Sequence, residues 1–353
     1  MSLETVLLTG AGGFIGAQIL EQLLKSGEFH VIAPVRSEKD VQSTLALHPE
    51  YSDKNVRFPV VPDLGANGAC DEIFGETEIN YVIHAAGRFR FENIDSQKLI
   101  YDNYDTAKSV IRSAEKFGKS LKRFVLTGSV IVEITGQMKP STFKEELTEA
   151  DIVSIPLEAV RESGDSVACY VAAKAESSAL LFETASKSSV SWDAVELLPA
   201  GTAGPLAHSV PDLTAGSHSL DWAYNLLSGT WTEIPPVPMF QITDVRDVAL
   251  AHVLALRNEK ASGQRINVVN SDSCYSHQVL ANLIRSKYPE LRDKVAEGTP
   301  EQLIPAGMVF YKISNAKSKE IFGNELNYTP ESDTYNAYVD SVWEAMRNKD
   351  LEL

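Results

Sequence analysis

The stretch Thr5-Val6-Leu7-Leu8-Thr9-Gly10-Ala11-Gly12-Gly13-Phe14-Ile15-Gly16 decides how the rest of the sequence is read. A short apolar run ends in a glycine cluster, and an amphipathic segment, 14–26, begins inside that cluster. Gly10 permits a tight turn. Gly13 removes a Cβ where backbone must approach a ligand, and Gly16 lets a helix lie close against a strand. A helix starting at Phe14 and Ile15 presents free N–H groups and a dipole that favour a diphosphate. Lying between a strand and a helix, the cluster is expected to bind a dinucleotide.

Outward from this loop the pattern repeats. Apolar runs at 5–9, 30–35, 56–61, 81–86, 123–128 and 194–199 are continuous rather than alternating, as in strands covered on both faces. Amphipathic segments at 14–26, 38–47, 95–117 and 170–187 separate them. The expected fold is α/β: a Rossmann-type, doubly wound parallel sheet with a smaller, mainly C-terminal cap. After Pro199 the composition shifts toward Pro, Gly and aromatic residues, including Trp222, Tyr224, Trp231 and Phe240. The expected division is a nucleotide-binding domain over 1–200, to which 241–270 returns, and a substrate-binding cap from 201–240 and 271–353.

Composition narrows the function. The chain has 353 residues, 44% hydrophobic and 23% charged, enough for a large core. Its 32 basic and 48 acidic residues give a net charge of −16, the wrong sign for nucleic acid or an anionic membrane. No apolar stretch has membrane-spanning length, and no secretory leader pattern opens the chain. Three scattered cysteines, Cys70, Cys169 and Cys274, form no CxxC, which points to reduced thiols and a cytoplasmic setting. Seven histidines without metal-ligand spacing give no support to a metal site.

The end of the second strand selects the cofactor. Ala33-Pro34-Val35-Arg36-Ser37 carries no carboxylate for a ribose hydroxyl, and Lys39 follows. A guanidinium there suits a 2′-phosphate, so NADPH is expected. Asp63-Leu64 ends the third strand, where Asp63 either contacts adenine or caps a helix.

A phenol and an ammonium follow four residues apart, Tyr170 and Lys174, on one helical face. The lysine is expected to lower the phenol from its ordinary pKa near 10. Ser129, in Thr127-Gly128-Ser129, ends a strand at the edge that faces the ligand crevice, where a hydroxyl holds a substrate carbonyl.

With these residues in view, the sequence resembles the extended short-chain dehydrogenase/reductase family over nearly the whole chain. The marks are Gly10–Gly16, Arg36, His84-Ala85-Ala86-Gly87, Thr127–Ser129, Tyr170–Lys174, Pro199 with Gly204-Pro205, and Asp244-Val245-Arg246-Asp247-Val248-Ala249 followed by Ala251-His252. The last stretch is similar to the branch of dihydroflavonol reductases, cinnamoyl-CoA reductases and fungal methylglyoxal and ketone reductases. The resemblance implies Ser129, Tyr170 and Lys174 as catalytic residues, with Tyr170 the proton donor and Lys174 also on the nicotinamide ribose. It implies that Ala85, Ala86, Gly87 and Thr127 flank the cofactor, and that Pro199, Gly201 and Thr202 approach the nicotinamide. Relatives are monomers or homodimers. Two departures stand out: Asn103-Tyr104-Asp105-Thr106-Ala107 lacks the family's glycine, and Glu145–Glu149 replaces its acidic-Trp segment.

The expected activity is NADPH-dependent reduction of a ketone or aldehyde to an alcohol, the partner being a small-molecule carbonyl substrate. The alternatives are an NAD(P)-dependent sugar-nucleotide epimerase or dehydratase and a non-catalytic NADP-sensing regulator. An epimerase wants an acid after the second strand and cations in the cap, and 203–240 contains no Lys or Arg. The expected pocket is apolar, lined by Phe89, Phe91, Val130, Ile131, Trp222, Tyr224 and Leu227. For Trp222 and Trp231 the alternative is packing within the cap's own core. The acidic stretch 144–165 is expected to repel anionic substrates. Asp244, Arg246 and Asp247 read as a salt-bridged helix start, and His84 and His252 as core histidines.

Overall fold

A computed structural model describes residues 3–91, 94–134, 144–208, 218–236, 241–273, 275–304 and 312–350. Cys274 and Phe240 lie outside them. Seven parallel strands form the central sheet among the described residues: β1 (Glu4–Thr9), β2 (Phe29–Ile32), β3 (Val56–Arg57), β4 (Tyr81–His84), β5 (Arg123–Thr127), β7 (Asp193–Pro199) and β10 (Arg265–Val268). Their spatial order is β10-β7-β5-β4-β1-β2-β3, so the winding reverses between β1 and β4. Ligands of such sheets bind at that switch, outside the strands' carboxyl ends.

The continuous apolar runs are explained by what covers them. Val6, Leu8, Ile83, Val125 and Leu197 face α1 (Phe14–Ser26) and α10 (Val245–Ala255). Leu7, Val82, Phe124 and Leu126 face the opposite layer, built from α3 (Asp71–Glu76), α5 (Thr106–Phe117) and α8 (Ser166–Ala185). Two runs pair over fewer residues than expected. Pro34 and Pro59 bring no N–H to the ladder, so β2 and β3 are short and a single bridge, Val35 to Val60, continues them.

The helix expected over 95–117 is interrupted. α4 (Ser96–Ile100) passes through a π turn, Tyr101–Asp105, into α5. The helix expected from 170 begins at Ser166, where Asp165 accepts the Ala168 N–H at 3.0 Å. The remaining short helices beside the sheet are α2 (Glu38–Leu47), α6 (Ile131–Ile134) and α7 (Leu157–Val160).

A second core holds α9 (His218–Leu227), α11 (His277–Lys287) and α13 (Glu331–Asp350) around Tyr275, Leu280, Ile284, Tyr338 and Val342. The parallel pair β8 (Gly201–Ala203) and β9 (Ile242–Asp244) contributes Ala203 and Ile242 to it. A second small pair joins β6 (Glu146–Leu147) to β11 (Lys312–Ile313). The division differs from the expected one at two places. Residues 242–244 belong with the cap, and α12 (Ala316–Phe322) with Leu326 packs on the sheet domain through Ile321 and Phe322. Both segments follow their apolar side chains rather than chain position.

Candidate active site

The phosphate loop is built as the glycines require. Gly10 has φ +80°, and a Cβ there would lie 2.6 Å from the Ala85 carbonyl carbon and the Ala86 nitrogen. A Cβ on Gly16 would collide with the Gly10 carbonyl. Gly13 donates its N–H to Gly10 at 2.9 Å and starts α1 without a side-chain cap. The result is a cradle of bare backbone at a helix N-terminus, which suits a diphosphate. It opens into a cleft of about 670 Å³ lined by Gly10–Phe14, Arg36, Lys39, Asp63, Leu64 and Ala85–Arg88.

Arg36 is exposed on the rim of the cleft, just ahead of α2, which Ser37 caps. Asp63 caps no helix. Its carboxylate accepts the Gly65 N–H at 3.0 Å and the Tyr101 hydroxyl at 2.5 Å, which fixes the cleft wall. Gly201 is buried in β8 and does not line the cleft, whereas Pro199, Ala200 and Thr202 line a smaller pocket of about 150 Å³ next to it.

That smaller pocket also gathers Ile15, Gly16, Gly87, Phe89, Asn103, Thr127, Ser129, Tyr170 and Lys174. Lys174 is buried and donates to the Thr127 carbonyl at 3.0 Å. Thr127 turns its own hydroxyl the other way, 2.8 Å from the His252 ring. Ser129, two residues beyond the end of β5, stands beside the Tyr170 phenol and acts to lower its pKa.

The expected lowering of the phenol by Lys174 does not follow from this geometry. Burial pushes Tyr170 above its ordinary range, and Ser129 only partly opposes it. Burial also pushes Lys174 down to about 8, opposed by the nearby Glu196 carboxylate. In a dry site each group favours its neutral form. A phenol that keeps its proton is the form a proton donor needs.

Phe89 and Phe91 flank Tyr170, each with ring centroids 5.5 Å from it, and stand edge to face with one another at 5.2 Å. Other expected pocket residues lie elsewhere. Val130 is fully buried in a cluster with Val171 and Leu198, because the turn after Ser129 points it into the sheet domain. Ile131 packs on the same cluster from its edge. Trp222 and Leu227 are buried in the cap core, Trp222 with its ring 4.8 Å from Tyr275, and Tyr224 packs against that core. An apolar helix face served the cap's own packing.

Several further residues matter here that were not among the expected site residues. Asn103 is buried in the π turn and holds the backbone of Arg88. Glu196 interrupts the apolar run of β7; it accepts from Ser178 at 2.6 Å and pairs with Arg265 at 3.2 Å. An acid in the middle of a doubly covered strand was a visible signal. Glu133, on α6, is buried, and burial with Glu149 nearby pushes its carboxyl up to about 8.

His84, His252 and the 244–247 cluster are engaged within the fold. His84 and His252 are buried in the sheet domain. Asp244 caps α10 and binds Arg246, while Asp247 receives both the N–H and hydroxyl of Thr329. No group of three or more metal-ligating side chains occurs among the described residues. No helix among them is long and apolar enough to cross a membrane.

The comparisons with known proteins fit this architecture. The ketoreductase azaE of Aspergillus niger is 30% identical over 324 residues, 91% of this chain and 92% of that protein. The NADPH-dependent methylglyoxal reductase GRE2 of Saccharomyces cerevisiae is 27% identical, over 90% and 93% of the two chains. The crystal structure of yeast methylglyoxal/isovaleraldehyde reductase Gre2 complexed with NADPH shares the fold, with a TM-score of 0.82 over 97% of this chain and 99% of that one at 22% identity. Residues 6–269 match the NAD dependent epimerase/dehydratase family, and the chain belongs to that family.

Proposed function

We propose that the protein is an NADPH-dependent carbonyl reductase that converts a ketone or aldehyde to an alcohol. The observation that carries this reading is the grouping of Ser129, Tyr170 and Lys174 on one wall of a pocket whose other wall is the start of α1 and the turn after Pro199. NADPH, when bound in the cleft, supplies the hydride to the carbonyl carbon. Tyr170 donates its phenolic proton to the carbonyl oxygen, and Ser129 hydrogen-bonds that same oxygen. Lys174 serves the ribose hydroxyls.

Arg36 and Lys39 favour the 2′-phosphate of NADPH over the bare ribose of NADH. Phe89 and Phe91 give the substrate side aromatic walls, which suits an apolar carbonyl compound. An epimerase reading has less support: no carboxylate ends β2, and the cap segment 203–240 has no cation for a sugar diphosphate.

The test is NADPH consumption by the purified protein against a panel of ketones and aldehydes. Turnover that disappears in Tyr170→Phe supports the reading. Absence of turnover over a broad panel, or full turnover in Tyr170→Phe, rejects it.

A further inference from the structure

The diphosphate cradle has a cap-side neighbour that no glycine motif supplies. His208 follows β8 and lines the same cleft as Gly12, Gly13 and Phe14. Its ring stands edge-on to Phe14, the first residue of α1, with centroids 6.1 Å apart. The segment carrying it is tied to the sheet domain twice. Gln18 donates to the Pro205 carbonyl at 2.9 Å, and the His48 ring lies 3.0 Å from the Ala207 carbonyl. The Nδ1 atom of His208 is buried and has no hydrogen-bond partner among the described residues. An unpaired buried polar atom costs free energy, which an acceptor on a bound ligand would recover.

The cations of the cleft are Arg36, Lys39, Arg88, Arg90 and Lys98. Arg36 and Lys39 stand where the second strand ends, at the ribose side. Arg88 and Lys98 both pair with Asp102. The first turn of α1, Phe14-Ile15-Gly16, offers only backbone. At the start of α1 itself the loop offers a diphosphate its N–H groups, and His208 is the side chain with an unpaired nitrogen that stands against Phe14 there. We propose that His208 is an anion-binding residue of the cap, donating Nδ1–H to the diphosphate of the bound dinucleotide and fastening the cap to the cofactor. This rests on the reading that the cleft takes NADPH. It adds a ligand contact from the part of the chain assigned to substrate.

The experiment is titration of NADPH into the purified protein, followed by tryptophan fluorescence, for wild type, His208→Leu and His208→Gln. Adenosine 2′-monophosphate, which has the adenine end and no diphosphate, is titrated in parallel. Losing one hydrogen bond to a charged group should weaken NADPH binding about 10- to 150-fold in His208→Leu. His208→Gln keeps a donor and should lose less. All three proteins should bind adenosine 2′-monophosphate alike. Unchanged NADPH affinity in His208→Leu overturns the proposal and leaves the cofactor reading standing, as does an equal loss for both ligands. A wild type that binds no NADPH rejects the cofactor reading and this one together.

Discussion

The carboxamide of Asn103 closes on the peptide of Arg88 from both sides: Oδ1 receives the Arg88 N–H at 3.3 Å and Nδ2 donates to the Arg88 carbonyl at 3.0 Å. A third bond runs from Nδ2 to the Leu99 carbonyl at 2.9 Å. The π turn puts Asn103 there, and such turns recur at functional sites because they redirect one side chain without ending the helix. The clasp fixes the strand-to-loop exit that carries Gly87 and Phe89.

Removing the clasp should therefore loosen the site more than the fold. Asn103→Ala is expected to cost about 1–3 kcal/mol of stability, the penalty for buried groups left unpaired. It should also lower kcat/KM roughly tenfold or more through the displaced Phe89. Thermal melts and steady-state kinetics on the same preparation check both.

Cofactor choice should rest on Arg36. A charge-assisted bond to phosphate is worth about 1.5–3 kcal/mol, so Arg36→Ala should cut the preference for NADPH over NADH about 10- to 150-fold. The ratio of kcat/KM for the two cofactors measures it, and an unchanged ratio removes Arg36 from the role.

On the proposed mechanism, in which the phenol acts on substrate, Tyr170→Phe should abolish turnover and leave NADPH affinity within a few-fold. Lys174→Ala should impair both. Retained turnover in Tyr170→Phe would assign the proton to another group.

Glu133 gives a pH dependence with a defined sign. Burial raises its carboxyl from the ordinary value of 4.5 to about 8, with Glu149 adding to the shift. Between those values the folded protein holds a proton that the unfolded chain has lost, so this residue makes stability fall as pH rises through that window. Glu133→Gln cannot ionise. Its melting temperature should gain on wild type steadily from pH 5 to pH 8, and a constant difference would show that Glu133 is already ionised at pH 5.

Trp222→Ala should destabilise the protein by about 3–5 kcal/mol, as large-to-small changes in a core do. Its relative kcat/KM for small and bulky ketones should stay unchanged. Phe89→Ala should do the reverse, with little loss of stability and an altered preference for bulky ketones. Matched melts and specificity ratios separate the two.

The sheet and its phosphate loop were legible because they depend on local patterns. Gly10 and Gly16 are forced by backbone clashes, and each core strand announces itself as an apolar run. Ser129, Tyr170 and Lys174 were legible as residues, while the ionisation of Tyr170 was not, since burial outweighs the neighbour that spacing suggested. The pocket walls were least legible. Trp222 and Leu227 look the same in sequence whether an apolar face meets a ligand or another helix, and only α11 and α13 decide it. Asn103 and His208 depend on turns that bring distant segments together, which no spacing records.

The path of the chain between its two cores has an evolutionary consequence. From β7 it passes to β8, α9 and β9 in the cap, back to α10 and β10 on the sheet, out to α11, back to α12, and out again to α13. No single cut releases the cap as a piece, so it cannot be exchanged between relatives by recombination at one joint. Any variation of the pocket around Tyr170 is held to changes that keep both cores packed.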